Sequence, residues 1–351
     1  MAAEILDIGT FMTMASTMPV LDVRAPAEYG HAHMPGAHHL PLFDDEERKV
    51  VGTLYKQQGR EAAIKAGLDF FGPRMRAMVT AAEDLMAEQH SPPGGAAGRR
   101  ILLHCWRGGM RSAAVAWLLD LYGFTVYTLK GGYQSFRRYV LETFTLPFDI
   151  RVLGGYTGSG KTSLLHTLGQ QGASVIDLER LAGHRGSAFG GIGLPPQPSQ
   201  EMFENRLALA LRKAAATPVW MEDESRRIGQ VNIPGALWEQ LHHAPLYFLD
   251  IPFPQRLDNL LQSYGNAGSA ELEQAILRIR KRLGGLETQK ATQALQQGDL
   301  KGCFRILLQY YDKYYRKSLS LRPDSAQVRV LQDAGTDPAL LAEKLAGMAA
   351  G

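Results

Sequence analysis

The chain has 351 residues, of which 45% are hydrophobic and 21% charged, and its formal net charge is +3. This composition allows a core in each of two domains and excludes extensive disorder. The small net charge excludes binding of nucleic acid through the overall field, so an RNA contact requires a local basic patch. The N-terminal segment has no signal-peptide pattern, and no apolar run is long enough to span a bilayer. We therefore expect a cytoplasmic protein that does not bind membranes.

Short apolar runs alternate with helical patterns, which predicts an α/β fold. Strands are expected at residues 19–23, 101–104, 126–129, 150–153, 174–176, 219–221 and 245–249. Helices are expected at residues 112–121, 270–283 and 300–317. The Pro- and Gly-rich residues 91–98 are expected to form a surface loop.

A domain boundary is predicted where a helical pattern ends at Pro147 and a new strand begins. The expected organisation is a first domain at residues 1–135, a linker at 136–148 and a second domain at 149–351. The two halves do not resemble each other, so they are different modules.

Two cysteines occur, Cys105 and Cys303, and they are far apart in the sequence. This excludes a disulfide framework and a CxxC metal site, and it indicates a reducing compartment in which a lone thiol stays reactive. Cys303 lies in an apolar helical pattern, which predicts packing in a core.

The segment at residues 104–112, HCWRGGMRS, places Cys105 between a predicted strand and a predicted helix. Backbone N–H groups, the helix N-terminus and nearby arginines all favour a thiolate at such a position. We therefore predict Cys105 as a catalytic nucleophile beside an anion-binding loop. The loop residues expected to bind the anion are Arg107, Gly108, Gly109 and Arg111.

The segment at residues 155–162, GYTGSGKT, satisfies the phosphate-loop motif G-x-x-x-x-G-K-[ST] between a predicted strand and a predicted helix. Glycines allow backbone N–H groups to surround a polyphosphate, and the helix N-terminus adds positive partial charge. The residues predicted to bind a diphosphate are Gly155, Thr157, Gly158, Ser159, Gly160, Lys161, Thr162 and Arg185.

Magnesium is the expected companion of a phosphate loop, with the Thr162 hydroxyl as one ligand. Acidic residues end several predicted strands, namely Asp177, Glu222, Asp223 and Asp250. None is singled out by the sequence, although Asp177 is our candidate ligand. No tightly bound cofactor is predicted.

Phosphatases and rhodanese domains both place a reactive cysteine in a loop like that of residues 104–112. Residues 104–111 match the phosphatase signature H-C-x5-R, whereas the flanking segments resemble those of rhodanese domains. The resemblance rests on LDVRAPAEYGH at residues 21–31, MPGA at 34–37 and LKGGY at 129–133. Common rhodanese loops read C-x-x-G-x-R, and this loop has one more residue. We expect the wider loop to admit a tetrahedral, phosphate-sized anion.

A rhodanese module followed by a P-loop domain resembles the bacterial tRNA 2-selenouridine synthase family. The resemblance covers nearly the whole chain and rests on CWRGGMRS at residues 105–112, GTLYKQQGREAAIKAG at 52–67, GGYTGSGKT at 154–162 and DLERLAGHRGSAFG at 177–190.

The resemblance implies a two-step modification of the wobble uridine in tRNAs for Lys, Glu and Gln. In the first step, 2-thiouridine is S-geranylated by geranyl diphosphate. In the second, selenium from selenophosphate displaces the geranylthio group. The donor shapes suggest that the phosphate loop serves geranylation and that Cys105 carries selenium as a selenosulfide.

Contact with tRNA requires basic and aromatic side chains together. Residues 309–317 (QYYDKYYRK) and 136–139 (FRRY) interleave them, although packing of the tyrosines against the core is an equally open interpretation of the first segment. The candidate tRNA-binding residues are Arg137, Arg138, Lys313, Arg316 and Lys317.

Three other functions compete with this one. An ATP-dependent sulfurtransferase would bind a nucleotide at Lys161 and deliver sulfur from Cys105. A phosphatase fused to a kinase-like domain would leave the rhodanese segments unexplained. A non-enzymatic RNA-binding module would have no need for Cys105, Arg111 and Lys161 together.

Overall fold

A computed structural model of the chain describes residues 3–88, 99–214, 217–323, 327–332 and 337–349. The chain divides into two compact units, residues 1–142 and 143–351. The loop predicted at residues 91–98 lies outside the described residues. None of the described helices is both long and apolar enough to cross a membrane.

The first unit is an α/β structure. Its strands are β1 (Glu4–Leu6), β2 (Val20–Asp22), β3 (His38–His39), β4 (Arg100–His104) and β5 (Thr125–Leu129). Its helices are α1 (Ile8–Met14), α2 (Pro26–His31), α3 (Asp45–Gln57), α4 (Arg60–Phe71), α5 (Met75–Glu88), α6 (Met110–Tyr122) and α7 (Gly132–Thr143).

The five strands form one parallel sheet in the order β1-β5-β4-β2-β3. A parallel sheet covered on both faces needs continuous apolar strands. The central strand β4 meets this need, because Ile101, Leu102 and Leu103 are all fully buried. Its carboxyl end delivers Cys105 to the edge of the sheet at which α6 begins.

The second unit is larger and more helical. Its strands are β6 (Ile150–Gly155), β7 (Ser174–Ile176), β8 (Val219–Glu222), β9 (Arg227–Ile228), β10 (Val231–Asn232), β11 (Leu246–Leu249) and β12 (Arg329–Leu331). Its helices are α8 (Lys161–Gln170), α9 (Leu178–Ala182), α10 (Gln200–Ala214), α11 (Gly235–His243), α12 (Phe253–Tyr264), α13 (Ser269–Arg278), α14 (Arg280–Leu283), α15 (Gly285–Gln296), α16 (Leu300–Ser320) and α17 (Pro338–Ala349).

A parallel sheet of order β12-β11-β6-β8-β7 forms the centre of this unit, and β9 and β10 make a separate antiparallel pair. The first strand, β6, lies in the middle, with β8 and β7 on one side and β11 and β12 on the other. A crevice opens outside the carboxyl end of such a strand, and ligands bind there in open α/β sheets. The segment 155–162 leaves β6 at this place.

Helices α12, α13, α15 and α16 enclose a second apolar core beside that sheet. Phe304 and Leu308 of α16 and Ile276 of α13 are fully buried in it. Cys303 is 2% exposed within the same cluster, so its predicted role in core packing is confirmed.

The predicted α/β fold and every predicted strand are confirmed, with end points shifted by no more than two residues. The helix predicted at residues 270–283 is interrupted at Ile279, where α13 ends and α14 begins. The structure also places α7 across residues 132–143, which include much of the predicted linker at 136–148. That segment is helical because Tyr133, Phe136 and Val140 share a helix face and are fully buried.

Candidate functional site

The cysteine loop, residues 105–111, joins β4 to α6. Ser112 Oγ lies 3.3 Å from the Cys105 sulfur, and the Gly109 N–H donates to the sulfur over 3.4 Å. Burial opposes ionisation, but the hydrogen bonds from Ser112 and Gly109 and the charge of Arg111 hold the pKa of the Cys105 thiol below its ordinary value. The structure thus favours the nucleophilic thiolate.

The two arginines of the cysteine loop have different environments. Arg111 is partly buried, and its guanidinium donates to the two carboxylate oxygens of Glu28 over 2.5 and 3.2 Å. Arg107 is exposed, as are Gly108 and Gly109. Arg111 therefore contributes a fixed charge near the sulfur, whereas Arg107 is accessible to an anion from solvent.

A buried frame behind the cysteine loop explains the rhodanese-like segments of the sequence. Arg24 is fully buried and donates to Asp22 over 2.6 Å. Its guanidinium lies 3.8 Å from the centre of the Tyr133 ring, and the Tyr133 N–H donates to the Cys105 carbonyl over 2.8 Å. The rhodanese-like segments at residues 21–31 and 129–133 thus meet beneath the loop that holds the cysteine.

Close backbone approach explains the glycine before Tyr133. Gly132 has a φ of +57°, and a Cβ placed on it would lie 2.4 Å from the Cys105 carbonyl oxygen and 2.5 Å from the Gly108 nitrogen. Only glycine fits at this contact, because both neighbours are backbone atoms.

The phosphate loop, residues 155–162, follows β6 and leads into α8. The Lys161 ammonium donates to the Gly155 carbonyl over 3.1 Å and lies 3.5 Å from the Tyr315 hydroxyl. Ser159 is buried, and its hydroxyl has no hydrogen-bond partner within the described residues. A lysine, an unpartnered hydroxyl and a helix N-terminus at one loop are the groups that bind a polyphosphate.

Carboxylates surround the helix end of this loop. The Thr162 hydroxyl is within hydrogen-bond distance of Glu222, at 2.7 Å, and of Glu179, at 3.2 Å. Burial, with the negative charges of Glu179 and Asp177, raises the pKa of Glu222 to about 8. Glu224 is also buried, and burial raises the pKa of its carboxyl well above the usual range. Three carboxyl groups, those of Glu179, Glu222 and Glu224, therefore crowd the end of the loop at which Lys161 supplies positive charge.

Asp177, the predicted magnesium ligand, is committed to local structure. Its side chain accepts from the Arg180 N–H at the start of α9 over 2.6 Å and contacts His166 Nε2 at 2.7 Å. The carboxylates that reach Thr162 are those of Glu179 and Glu222 instead. Among the described residues, no group of three or more His, Cys, Asp or Glu side chains is arranged to hold a metal ion.

A buried ion pair supports the phosphate loop from behind. Arg256 of α12 donates to both carboxylate oxygens of Asp312 on α16, over 2.8 and 2.7 Å. It also donates to the Thr157 carbonyl over 3.2 Å, and Asn259 donates to the Gly158 carbonyl over 2.8 Å. These contacts fix the carbonyls of Thr157 and Gly158, and within the loop the Ser159 N–H donates to the Tyr156 carbonyl over 3.0 Å.

The phosphate loop opens into a cleft of about 2080 Å³. Arg185, predicted as a further phosphate ligand, lines the same cleft, and its guanidinium lies 5.7 Å from the centre of the Tyr264 ring. The structure therefore brings together the predicted diphosphate residues, which the sequence separates by more than twenty positions.

The predicted tRNA-binding segment of α16 is divided between two faces. Tyr310, Tyr311, Tyr314 and Tyr315 line the cleft, which the helical spacing of three and four residues explains. Three basic residues of the same segment are exposed but do not belong to the described lining of that cleft: Lys313, Arg316 and Lys317. Tyr310 and Tyr311 also pack against the helical core, and the predicted role of these tyrosines in binding tRNA stays a prediction.

The other predicted tRNA-binding residues, Arg137 and Arg138, lie on α7 in the first unit. Arg138 is exposed and Arg137 is half-buried.

Several residues that contact the two loops were not among the predicted site residues. Ser112 and Glu28 determine the setting of Cys105, and Tyr315, Glu179 and Arg256 that of the phosphate loop. Ser112 could have been chosen, because it starts the predicted helix after the cysteine. The others carry no local signal, since they come from distant segments.

Two loops that each follow a strand of a parallel sheet, one with a cysteine of lowered pKa and one with the phosphate-loop sequence, define a two-domain protein that joins a rhodanese-like domain to a P-loop domain. The family model described as a rhodanese-like domain matches residues 11–139, and that described as the tRNA 2-selenouridine synthase AAA domain matches residues 148–336.

The chain is 37% identical over 334 residues to a tRNA 2-selenouridine synthase of Hydrogenovibrio crunogenus, covering 85% of this chain and 88% of the relative. A relative of the same name from Nitrosomonas europaea is 40% identical over 270 residues, covering 74% of this chain and 67% of the relative. A third, from Marinobacter nauticus, is 35% identical over 348 residues, covering 89% and 91%. The chain belongs to the tRNA 2-selenouridine synthase family and is an enzyme of this kind, as its motifs predicted.

Proposed function

We propose that this enzyme converts 2-thiouridine in tRNA to 2-selenouridine in two steps, with geranyl diphosphate as the first donor and selenophosphate as the second. One observation supports the proposal: the chain holds two separate glycine-containing loops, each between a parallel strand and a helix, and they carry different reactive groups. A thiolate suits transfer of a chalcogen, and a lysine with loop N–H groups suits departure of a diphosphate. The tRNAs for Lys, Glu and Gln are the proposed substrates on the ground of the family resemblance.

The phosphate loop would serve the first step. The sulfur of 2-thiouridine attacks carbon 1 of the geranyl group, the carbon–oxygen bond breaks, and the base loses its N3 proton as diphosphate departs. Lys161 and the loop N–H groups stabilise the charge that develops on the diphosphate. Mg²⁺ would neutralise part of that charge when bound, with Thr162, Glu179 and Glu222 as the residues placed to hold it.

Cys105 would serve the second step as the nucleophile that frees selenium from its donor. Its thiolate attacks the phosphorus of selenophosphate, the phosphorus–selenium bond breaks to give hydrogen selenide, and water then hydrolyses the S-phosphocysteine to phosphate and the free thiol. The contacts that lower the pKa of Cys105 favour the attacking thiolate, and the exposed Arg107, Gly108 and Gly109 leave room for the phosphate of the donor. At the base, hydrogen selenide adds to carbon 2 and the geranylthio group leaves as geranylthiol. The nucleoside then holds selenium where sulfur had been.

The test is mass spectrometry of nucleosides from thiolated tRNA incubated with geranyl diphosphate, Mg²⁺ and selenophosphate. The wild-type protein is expected to yield 2-selenouridine. Cys105→Ala is expected to stop at the geranylated base, and Lys161→Ala is expected to leave 2-thiouridine unchanged.

Two variants control for nonspecific damage. Cys303→Ala removes the other cysteine, and Lys290→Ala removes an exposed lysine of α15, so both should behave as wild type. Geranylation by Lys161→Ala would overturn the role of the phosphate loop, and selenation by Cys105→Ala that of the thiol. If no geranylated or selenated base forms with the wild type, ATP-dependent sulfur transfer becomes the leading function, and ATP turnover tests it.

A further inference from the structure

A run of basic residues lies at the junction of α13 and α14. Arg278, Arg280, Lys281 and Arg282 fall within five positions, and all four are exposed. Three of them, Arg278, Lys281 and Arg282, line the cleft that contains the phosphate loop. Across the described ranges, no acidic side chain forms an ion pair with any of these three.

These charges are not needed to hold the helices in place. The apolar side of α13 and α14 packs through Leu272, Ala275, Ile276 and Leu283, which are buried in the helical core. Glu271, the acidic residue of α13 that also lines the cleft, precedes Arg278 by about two helical turns. The part of the cleft lined by α13 and α14 therefore carries positive charge that no acidic side chain of the described residues pairs.

Two tyrosines of α16 lie beside this basic run. The ring centres of Tyr310 and Tyr314 are 4.9 Å apart, and Tyr314 is 48% exposed. Both tyrosines line the same cleft as Arg278, Lys281 and Arg282. Flat aromatic faces and unpaired cations thus meet at one wall of the cleft.

We infer that this wall binds the tRNA substrate. We define it as the basic-aromatic rim, with these members: Arg278, Lys281, Arg282, Tyr310 and Tyr314. The cations hold phosphates of an unpaired RNA segment, and the tyrosines stack on its bases, so that the base to be modified enters the cleft containing Lys161. The proposed function names tRNA as substrate but no surface for it, and the rim does not depend on which donor is used.

RNA fits the rim better than a small anionic donor does. The phosphate loop and Lys161 already supply the groups that a diphosphate needs. Three further cations along α13 and α14 exceed that need and suit a chain of phosphates instead. Exposed tyrosine faces add affinity for nucleobases, which a diphosphate lacks.

The experiment is a titration of the full-length protein with thiolated tRNA at several salt concentrations. The test variant carries Arg278→Ala, Lys281→Ala and Arg282→Ala. The matched control, Lys213→Ala with Arg305→Ala and Lys344→Ala, removes the same charge from exposed positions outside the described cleft lining. We expect the rim variant to bind on the order of tenfold more weakly, with the slope of log K against log salt reduced by about two to three, and the control to bind like wild type.

The tyrosines are tested by a conservative pair of variants. Tyr310→Leu with Tyr314→Leu should weaken tRNA binding by about 5- to 100-fold, whereas the two Tyr→Phe changes should preserve it because stacking needs only the ring. Circular dichroism melting curves verify that each variant is folded.

Inorganic pyrophosphate is the probe that separates the rim from the phosphate loop. Its affinity should not change in the rim variants, whether or not the enzyme geranylates tRNA. Unchanged tRNA affinity in the rim variant, an equal loss in the control, or weaker pyrophosphate binding with intact tRNA binding would each overturn the inference.

Discussion

The cysteine loop and the phosphate loop share a plan but differ in what surrounds the anion. Each follows a parallel strand, contains at least one glycine with positive φ and leads into a helix. A buried arginine–carboxylate pair supports each one, Arg24 with Asp22 and Arg256 with Asp312. The plan is therefore a general way to expose backbone N–H groups, and the surroundings decide the chemistry.

Those surroundings have opposite electrostatic character. Near Cys105, hydrogen bonds and the charge of Arg111 lower the pKa of the thiol despite its burial. Near Lys161, burial and crowding raise the pKa values of Glu222 and Glu224. The first loop thus combines a buried thiol with groups that favour its ionisation, whereas the second combines the Lys161 ammonium with carboxylates that crowd it.

The largest expected effect comes from variants that break the buried ion pairs behind the two loops. Asp22→Ala and Asp312→Ala each leave a buried guanidinium without its carboxylate, which costs about 3–5 kcal/mol in the free energy of unfolding. Hydrogen–deuterium exchange should show weaker protection of backbone amides in residues 3–142 for the first variant and in residues 143–349 for the second.

The paired replacements Arg24→Met with Asp22→Leu, and Arg256→Met with Asp312→Leu, control for the pairing itself. They should recover most of the stability, because no buried charge remains. A cost below about 1 kcal/mol for either single variant would show that the guanidinium finds water or another partner.

A smaller effect on stability is expected when alanine replaces a glycine of positive φ. Gly132→Ala should destabilise the protein by about 2–5 kcal/mol, since it combines an unfavourable φ with contact against the backbone of the cysteine loop. Gly160→Ala, at a φ of +80° with no atom within 4 Å, should cost about 1–2 kcal/mol. Chemical denaturation measures both, and equal costs would contradict the role of close approach at Gly132.

The smallest effect concerns the thiol. Ser112→Ala removes a hydrogen bond to the Cys105 sulfur, so the pKa of the thiol should rise. Because the thiolate is the reactive form, alkylation is present above the pKa and lost as the pH falls through it. The rate curve of the variant should therefore move to higher pH.

The measurement is the rate of iodoacetamide labelling of Cys105 as a function of pH, read by peptide mass spectrometry. Cys303 is an internal control, since burial raises the pKa of that thiol to about 11 and it should stay unlabelled. An unchanged curve for Ser112→Ala would assign the lowered pKa to Gly109 and Arg111 instead.

Local sequence patterns predicted both loops because each is a continuous segment. The spacing of Gly155, Gly160 and Lys161 between strand and helix, and of Cys105 and Arg111, identifies an anion-binding loop without any distant contact. The apolar runs likewise identified the central strands, since parallel strands are buried on both faces. Short edge strands such as β1, β3 and β12 were missed, because two or three residues carry no periodicity.

The sequence by itself thus determined the family and the α/β fold, and it located the cysteine loop and the phosphate loop, since these depend on neighbours in the chain. Only the tertiary structure decided which acid reaches Thr162, which partner Arg111 takes and which faces of α16 line the cleft. It also joined the basic run of α13 and α14 to Tyr310 and Tyr314. The physical reason is that charge pairing and cleft lining depend on distances between remote segments, which packing fixes and local pattern does not record.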